Sequence, residues 1–378
     1  MADSQELKQN DYAYLPSKLR VLLNILNAEK SGNIKPVLTA VDKDEFEQLA
    51  ALSSRHKTDY YLFTYFQQFS NLVSSEQLQQ LRERMTQQAV KSLQQLSELI
   101  LLCKNFNQKG IHYAVIKGPH LARMLYGNAA VKVSVDLDFL MVNPGDLPHF
   151  HKVFSDAGYS CTVQKLITGN WKQRLFIAAK REVPYYNPVA RCAVDLHVRP
   201  AANTLITRHF YSYFFSDLEQ VPFEGITIPV LPAEKYFVYL CYHGACHQFS
   251  RLAWLLDIRN FYNQQKEKLS VEKILATARS INTERSVYLT FHLLNGLFNI
   301  EIPEKISQKI SHARIIERLA LGCLKAISYE KGHELTLRAR YDRLVHLIRL
   351  NKGIAGKADV LLSVFMRYVV LIFFRRKG

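Results

Sequence analysis

None of the six cysteines, Cys103, Cys161, Cys192, Cys241, Cys246 and Cys323, belongs to a C-x-x-C pair, and most sit among apolar neighbours. That excludes the dithiol redox motif and points to reduced, buried thiols of a cytosolic protein, with no disulfide partner. The opening residues, Met1-Ala2-Asp3-Ser4-Gln5-Glu6, lack the apolar core of a signal peptide. Internal repeats and low-complexity tracts are absent. The strongest apolar run, Val360 to Phe374, is about 15 residues long, is broken by Arg367 and precedes Arg375-Arg376-Lys377. A spanning helix needs about 20 residues. The run reads as a buried terminal helix with a solvated basic end, or as an interfacial helix on anionic lipid. The expected location is cytoplasmic, with peripheral contact at the inner membrane surface as the alternative.

Acid is the other shortage. The 378 residues carry 49 Lys and Arg against 33 Asp and Glu, a formal net charge of +16. Between Glu301 and Gly378 the count is 16 against 7, so more than half of the excess lies in the last fifth of the chain. Such a balance favours a polyanionic partner, without choosing among nucleic acid (RNA included), an anionic membrane surface and a phosphorylated substrate. Hydrophobic residues make up 48% and aromatics 11%, which excludes a disordered chain. The length suits two or three domains, or one core with helical additions.

Residues 1–108 read as a helical arm. Leu15-Pro16 precedes a stripe at Leu19, Leu22, Leu23 and Leu26. Asp42 or Asp44 caps a short helix through Leu49, and Ser75 caps a long Gln-rich helix to Phe106. Residues 109–231 alternate differently. His112 to Ile116 is β-prone, a helix runs to Tyr126-Gly127, and an apolar run from Val133 to Val142 ends at Asn143-Pro144-Gly145. Asp146 to Ala157 follows as a helix. Strands are expected over Tyr159 to Leu166, Leu175 to Arg181 and Arg191 to Arg199, with Tyr185-Tyr186-Asn187-Pro188 as a turn between strands. Residues 232–378 return to helices, with segments from Ala233 to Gln248, Leu252 to Gln264, Val271 to Ser280 and Glu284 to Phe298, then three or four more. The order describes an α+β protein.

The chemistry centres on Asp136-Leu137-Asp138 inside the apolar run. On a strand, residues two apart share a face, so the two carboxylates project together, opposite Leu137, Phe139 and Met141. Paired like charges repel unless a cation sits between them, and Mg²⁺ takes such oxygen ligands. A solvated strand end is the plainer explanation of the pair alone. Asp195, in Val194-Asp195-Leu196-His197, adds a third carboxylate on another β-prone run. Two carboxylates on one strand and a third on a neighbour is the arrangement that holds two metal ions for phosphoryl-group transfer. Upstream, Lys117-Gly118 closes a strand at the mouth of a helix, where a backbone and a lysine can approach phosphate.

These residues carry a family resemblance. Lys117-Gly118, Leu121-Ala122, Tyr126-Gly127 and Lys132 to Val142 resemble the "LKG … LA … Y … R-x-x-x-D-h-D-h-L-V" pattern of an uncharacterised nucleotidyltransferase family, NTP-transf-5, within the DNA polymerase β-like superfamily. Gly158-Tyr159, Val194 to His197, and His243, His247, Leu252, Trp254, Leu255 and Asp257 continue it, so that it covers residues 80 to 265 or so. The resemblance implies a polymerase β-like core, a mixed sheet with flanking helices, between the helical arm and a basic helical C-terminal domain. It implies a nucleotidyltransferase that moves a nucleoside monophosphate from an NTP to an acceptor hydroxyl and releases pyrophosphate. Asp136, Asp138 and Asp195 would be catalytic and bind Mg²⁺ or Mn²⁺, while Lys117, Gly118, Lys132 and Ser134 would bind the nucleotide.

The pattern is departed from in three places. Lys132 replaces an arginine and loses the bidentate fork. Pro119 follows the loop glycine and donates no N–H. His197-Val198 stands for His-Trp. A catalytically inactive nucleotide- or nucleic-acid-binding module of the same fold is therefore the alternative, as is a membrane-surface protein of a polysaccharide- or peptide-modification pathway. The acceptor is open between a small molecule, a protein and RNA. His243 and His247, four apart on a helix, have zinc-ligand spacing but no H-E-x-x-H around them; a packed or hydrogen-bonded pair is the simpler account, and a nucleotide contact, which the resemblance implies, is the next. Asp257 reads as a helix–helix hydrogen-bond partner, and Trp254 as core.

Overall fold

A computed structural model describes residues 15–28, 38, 41–132, 134–161, 182–198, 215–311, 313–329 and 336–373. Beyond Pro16, α1 (Ser17–Ala28) buries Leu19, Leu22, Leu23, Ile25 and Leu26. Asp42 caps α2 (Lys43–His56) through a capping box. Its carboxylate accepts the Glu45 N–H at 2.8 Å and Glu45 accepts the Asp42 N–H at 3.4 Å. The helix runs past Leu49 to His56. After α3 (Asp59–Gln68), the long α4 (Ser75–Gln108) is capped by Ser74, one residue before the expected Ser75. The Ser74 hydroxyl accepts the Gln77 N–H at 3.2 Å, and the Gln77 side chain accepts the Ser74 N–H at 2.7 Å.

A seven-stranded mixed sheet follows, in the order β3-β4-β5-β2-β1-β7-β6. Its strands are β1 (Tyr113–Val115), β2 (Leu137–Met141), β3 (Ser160–Cys161), β4 (Glu182–Asn187), β5 (Cys192–His197), β6 (Glu219–Phe223) and β7 (Ile226–Val230). Among the described residues, β2·β5 and β1·β7 are the parallel pairs. Between β1 and β2 lies α5 (Gly118–Tyr126), and between β2 and β3 lies α6 (Leu147–Asp156). Tyr185, Tyr186 and Asn187 lie on β4 rather than in a turn, and the turn comes after them. Thr162 to Leu166 and the strand expected over Leu175 to Arg181 lie outside the described residues. The β6–β7 hairpin turns on Glu224-Gly225, both at positive φ (46° and 78°), the conformation a two-residue hairpin requires.

Alternation along the strands sorts their side chains. Leu137, Phe139 and Met141 of β2 and Val194 and Leu196 of β5 enter one core with Phe106 of α4 and Phe150 and Phe154 of α6. Phe106 meets Phe139 edge-on at 5.3 Å and Phe154 at 5.6 Å. Asp138, Asp195 and His197 are on the opposite parity, so the packing that fixes the apolar face also fixes where the polar groups point.

The remaining helices are α7 (Ala233–Cys246), α8 (Leu252–Gln265), α9 (Val271–Ser280), α10 (Glu284–Phe298), α11 (Glu304–Ser311), α12 (Arg314–Ser328), α13 (Leu337–Leu350) and α14 (Gly353–Phe373). The chain forms two compact units, each assembled from separated segments. One takes Met1–Gln87, Leu240–Glu267 and Thr283–Leu350, the other Gln88–Tyr239, Lys268–Asn282 and Asn351–Gly378. The three consecutive segments 1–108, 109–231 and 232–378 remain a proposal about sequence organisation. The first unit is helical, with α10 packed on α12, α8 and α1. The second holds the sheet. All six cysteines are buried and free. No described helix is long and apolar enough to cross a membrane. Met1 to Glu6 and Arg375-Arg376-Lys377 lie outside the described residues.

Candidate active site

The two parallel strands β2 and β5 pair in a register that sets Asp138 opposite Asp195 and Leu140 opposite His197. Asp138 and Asp195 therefore emerge side by side from one face. Asp136 is not on the strand. It sits in the bend just before β2, half-buried, close enough to Asp138 and Asp195 for the charges to act on one another. The strand pairing and this bend bring the three carboxyls into one neighbourhood.

Two basic side chains meet Asp138. Lys117 Nζ is 3.0 Å from its Oδ1, and His197 Nε2 donates to the same oxygen at 2.7 Å. Burial pushes the Asp138 carboxyl up, but Lys117 and His197 outweigh it and hold the group below the usual carboxylate range. Burial works against the charge of Lys117 as well, and Asp138, with Tyr239, holds its pKa above that of an ordinary lysine. At the other two carboxyls such compensation is weaker or missing. Burial first, then the charges of Asp136 and Glu182, push Asp195 up to about 8. Asp136 is raised by burial and by Asp138. Carboxyls crowded in this way hold their protons more tightly, and a cation between them would relieve the repulsion.

Lys117 reaches Asp138 by way of an unusual backbone. Its φ is 71° and ψ −154°, a region nearly restricted to glycine, and Gly118 follows at φ 64°. The Lys117 N–H donates to the Tyr236 hydroxyl at 2.8 Å, which anchors the turn to α7. Pro119 occupies the first turn of α5, where a helix has no partner for its N–H in any case. A Cβ added to Gly118 would stand 3.9 Å from Ser134 Oγ, so Ser134 borders the glycine turn. Gln95 Nε2 of α4 donates to the Ser134 carbonyl at 2.9 Å. Lys132 is half-buried between the 3₁₀ turn Ala129–Val131 and β2.

Sequence reasoning gave no role to His197, Glu182, Tyr236 or Tyr239. His197 was legible, two residues beyond Asp195 and so on the same face. Glu182 and the tyrosines were not, because strand order and helix placement bring them in. Among the described residues, no three His, Cys, Asp or Glu side chains are gathered as a ready metal site. Asp138 Oδ1 faces Lys117 and His197 instead. The donor set still suits a hard cation: three carboxylates on or beside paired strands, two of them crowded enough to repel. His243 and His247 lie 4.8 Å apart, each against Trp254, at 5.6 and 5.1 Å.

A D-x-D at the head of one strand, with a third aspartate in register on its parallel neighbour, fits a nucleotidyltransferase core. The chain belongs to the family described as uncharacterised nucleotidyltransferase, whose model matches residues 42–299, about two thirds of its length. That membership supports nucleotidyl transfer as the general activity and an NTP as substrate. No curated protein matches the chain.

Proposed function

We propose that this protein is a Mg²⁺- or Mn²⁺-dependent nucleotidyltransferase that moves a nucleoside monophosphate from an NTP to an acceptor hydroxyl. The observation that carries the reading is the in-register pairing of Asp138 with Asp195 on β2 and β5, with Asp136 in the bend just before β2. These three carboxylates would hold the metal ions, which when bound neutralise the triphosphate and lower the pKa of the attacking hydroxyl. Lys117, Gly118, Ser134 and Lys132 bind and orient the phosphates, Lys117 exchanging part of its pairing with Asp138 for the nucleotide. The acceptor oxygen bonds to the α-phosphorus while the bond to pyrophosphate breaks, and Asp195 takes the hydroxyl proton. A cytoplasmic location belongs to the same proposal, with peripheral membrane contact suggested by exposed Leu361, Leu362 and Phe365 on α14.

A non-catalytic nucleotide-binding module is the second reading, favoured by one observation, the direct pairing of Lys117 with Asp138. The two part on turnover. Labelled NTPs, Mg²⁺ and cell extract should yield a labelled acceptor only with the wild-type protein. Stabilisation by Mg²⁺ and ATP in a thermal-shift assay, with no labelled product under any NTP, supports the module instead.

A further inference from the structure

The helical unit contains a cavity of about 790 Å³ that the catalytic reading leaves unused. Its size falls within the roughly 300–1,000 Å³ of small-molecule sites. Arg55, Lys57, Arg251, Arg340 and Arg343 line it, and no Asp or Glu among the described residues does. A concave surface of one sign concentrates the opposite charge. Arg55 is committed to the wall, donating to the carbonyls of Ala326 at 3.0 Å and Ile327 at 2.6 Å. Arg251, Arg340 and Arg343 supply guanidinium groups from two further elements, and guanidinium forks match phosphate geometry.

Aromatic rings complete the lining. Trp254 and Tyr329 are half-buried there, and the Arg251 guanidinium lies 5.6 Å from the Trp254 ring. His247 packs on Trp254, and its Nδ1 is 3.3 Å from an Arg343 nitrogen. The turn that carries these groups between α7 and α8 is strained. Gln248 and Phe249 are consecutive non-glycine residues at positive φ, 54° and 45°. The turn is held by the Phe249 N–H bond to the Gly244 carbonyl at 2.9 Å and by the Phe249 ring resting on Gly244. The strained backbone thus places His247 and Arg251 on one cavity wall.

We propose that this cavity binds a phosphorylated nucleotide, with its phosphate on Arg251, Arg340 and Arg343 and its base against Trp254. Cations without acids select the phosphate, and the aromatic wall selects a planar ring. The nucleotide is either free or the end of an RNA strand.

The chain has two tryptophans, Trp171 and Trp254, so Trp171→Phe leaves Trp254 as the sole reporter of this cavity. The full W171F chain is titrated with AMP, with a 5′-phosphorylated single-stranded RNA octamer and with adenosine. AMP or the RNA should quench Trp254 emission saturably, and adenosine at equal concentration should not. Binding should weaken at least tenfold in R251A/R343A and in R340E, whose side chain is exposed. It should be unchanged in D136N, which separates this site from the catalytic reading. Tighter quenching by RNA than by AMP identifies an RNA end as the source, and equal quenching identifies the free nucleotide. Anisotropy of a fluorescein-labelled RNA on the unmodified chain and on R340E repeats the test without W171F. Quenching by neither phosphorylated probe, equal quenching by adenosine, or binding that survives both arginine variants overturns the proposal.

Discussion

Asp138 and Asp195 face each other in register across two parallel strands, yet the protein keeps them in opposite states. Asp138 is held low by Lys117 and His197 against the pull of burial, while burial and its acidic neighbours push Asp195 up to about 8. Asparagine should therefore act oppositely at the two positions. Asp195→Asn replaces a crowded, largely neutral carboxyl with a neutral amide of the same shape and should leave stability unchanged or raised in urea unfolding. Asp138→Asn strands Lys117, whose side chain is only 16% exposed, and should cost about 3 kcal/mol, the low end for a broken buried pair. Equal effects would show that Lys117 does not depend on Asp138.

The glycine-like backbone of Lys117 makes a second prediction. Lys117→Ala keeps the strained φ and ψ and loses the ion pair, whereas Lys117→Gly loses the same pair and relaxes the backbone. The glycine variant should be the more stable by about 1–3 kcal/mol. Turnover should fall in both. If alanine is as stable as glycine, the turn is not strained.

In the helical unit, Gly244 should tolerate no side chain. A Cβ there would come 2.2 Å from Phe249 Cε1. Gly244→Ala should destabilise by about 1–3 kcal/mol, the usual cost of overpacking. The same change in a Phe249→Ala background should cost almost nothing. A double-mutant cycle by chemical unfolding measures the coupling.

His346 gives a pH prediction. Its Nε2–H donates to the Ala245 carbonyl at 2.9 Å, and burial, with Arg343 and Arg349 nearby, lowers its pKa from 6.5 to about 4. Its contribution is complete above pH 6.5. Between pH 6.5 and 4 the unfolded chain takes up a proton that the native state refuses, so stability is lost as pH falls, by about 3 kcal/mol across the window. His346→Gln should flatten the fall between pH 7.5 and 4.5 by about that amount. His120, lowered by burial to about 4, leaves a residual slope. An unchanged slope would remove His346 from the account.

Much of this was legible in the residues, and what was not has physical causes. The helices Val271–Ser280 and Glu284–Phe298 follow from apolar periodicity and caps, and match to the residue. The D-x-D and Asp195 were legible as acids in apolar runs. Their register was not, because it pairs strands that are more than fifty residues apart, and no local pattern encodes that. Hairpin β6–β7 was hidden by Pro222 and Pro229, which a strand accepts only where its N–H is not needed. Lys117 was read as a phosphate ligand, and nothing local announces that it meets Asp138.

The central claim rests on the three aspartates. Pyrophosphate release from each NTP, with Mg²⁺ or Mn²⁺ and the acceptor supplied by extract, tests it most directly. The wild-type protein should release pyrophosphate only with metal present. Asp136→Asn and Asp138→Asn, still folded by circular dichroism, should each lose at least a hundredfold. Metal-dependent release that persists in the folded double variant would contradict it.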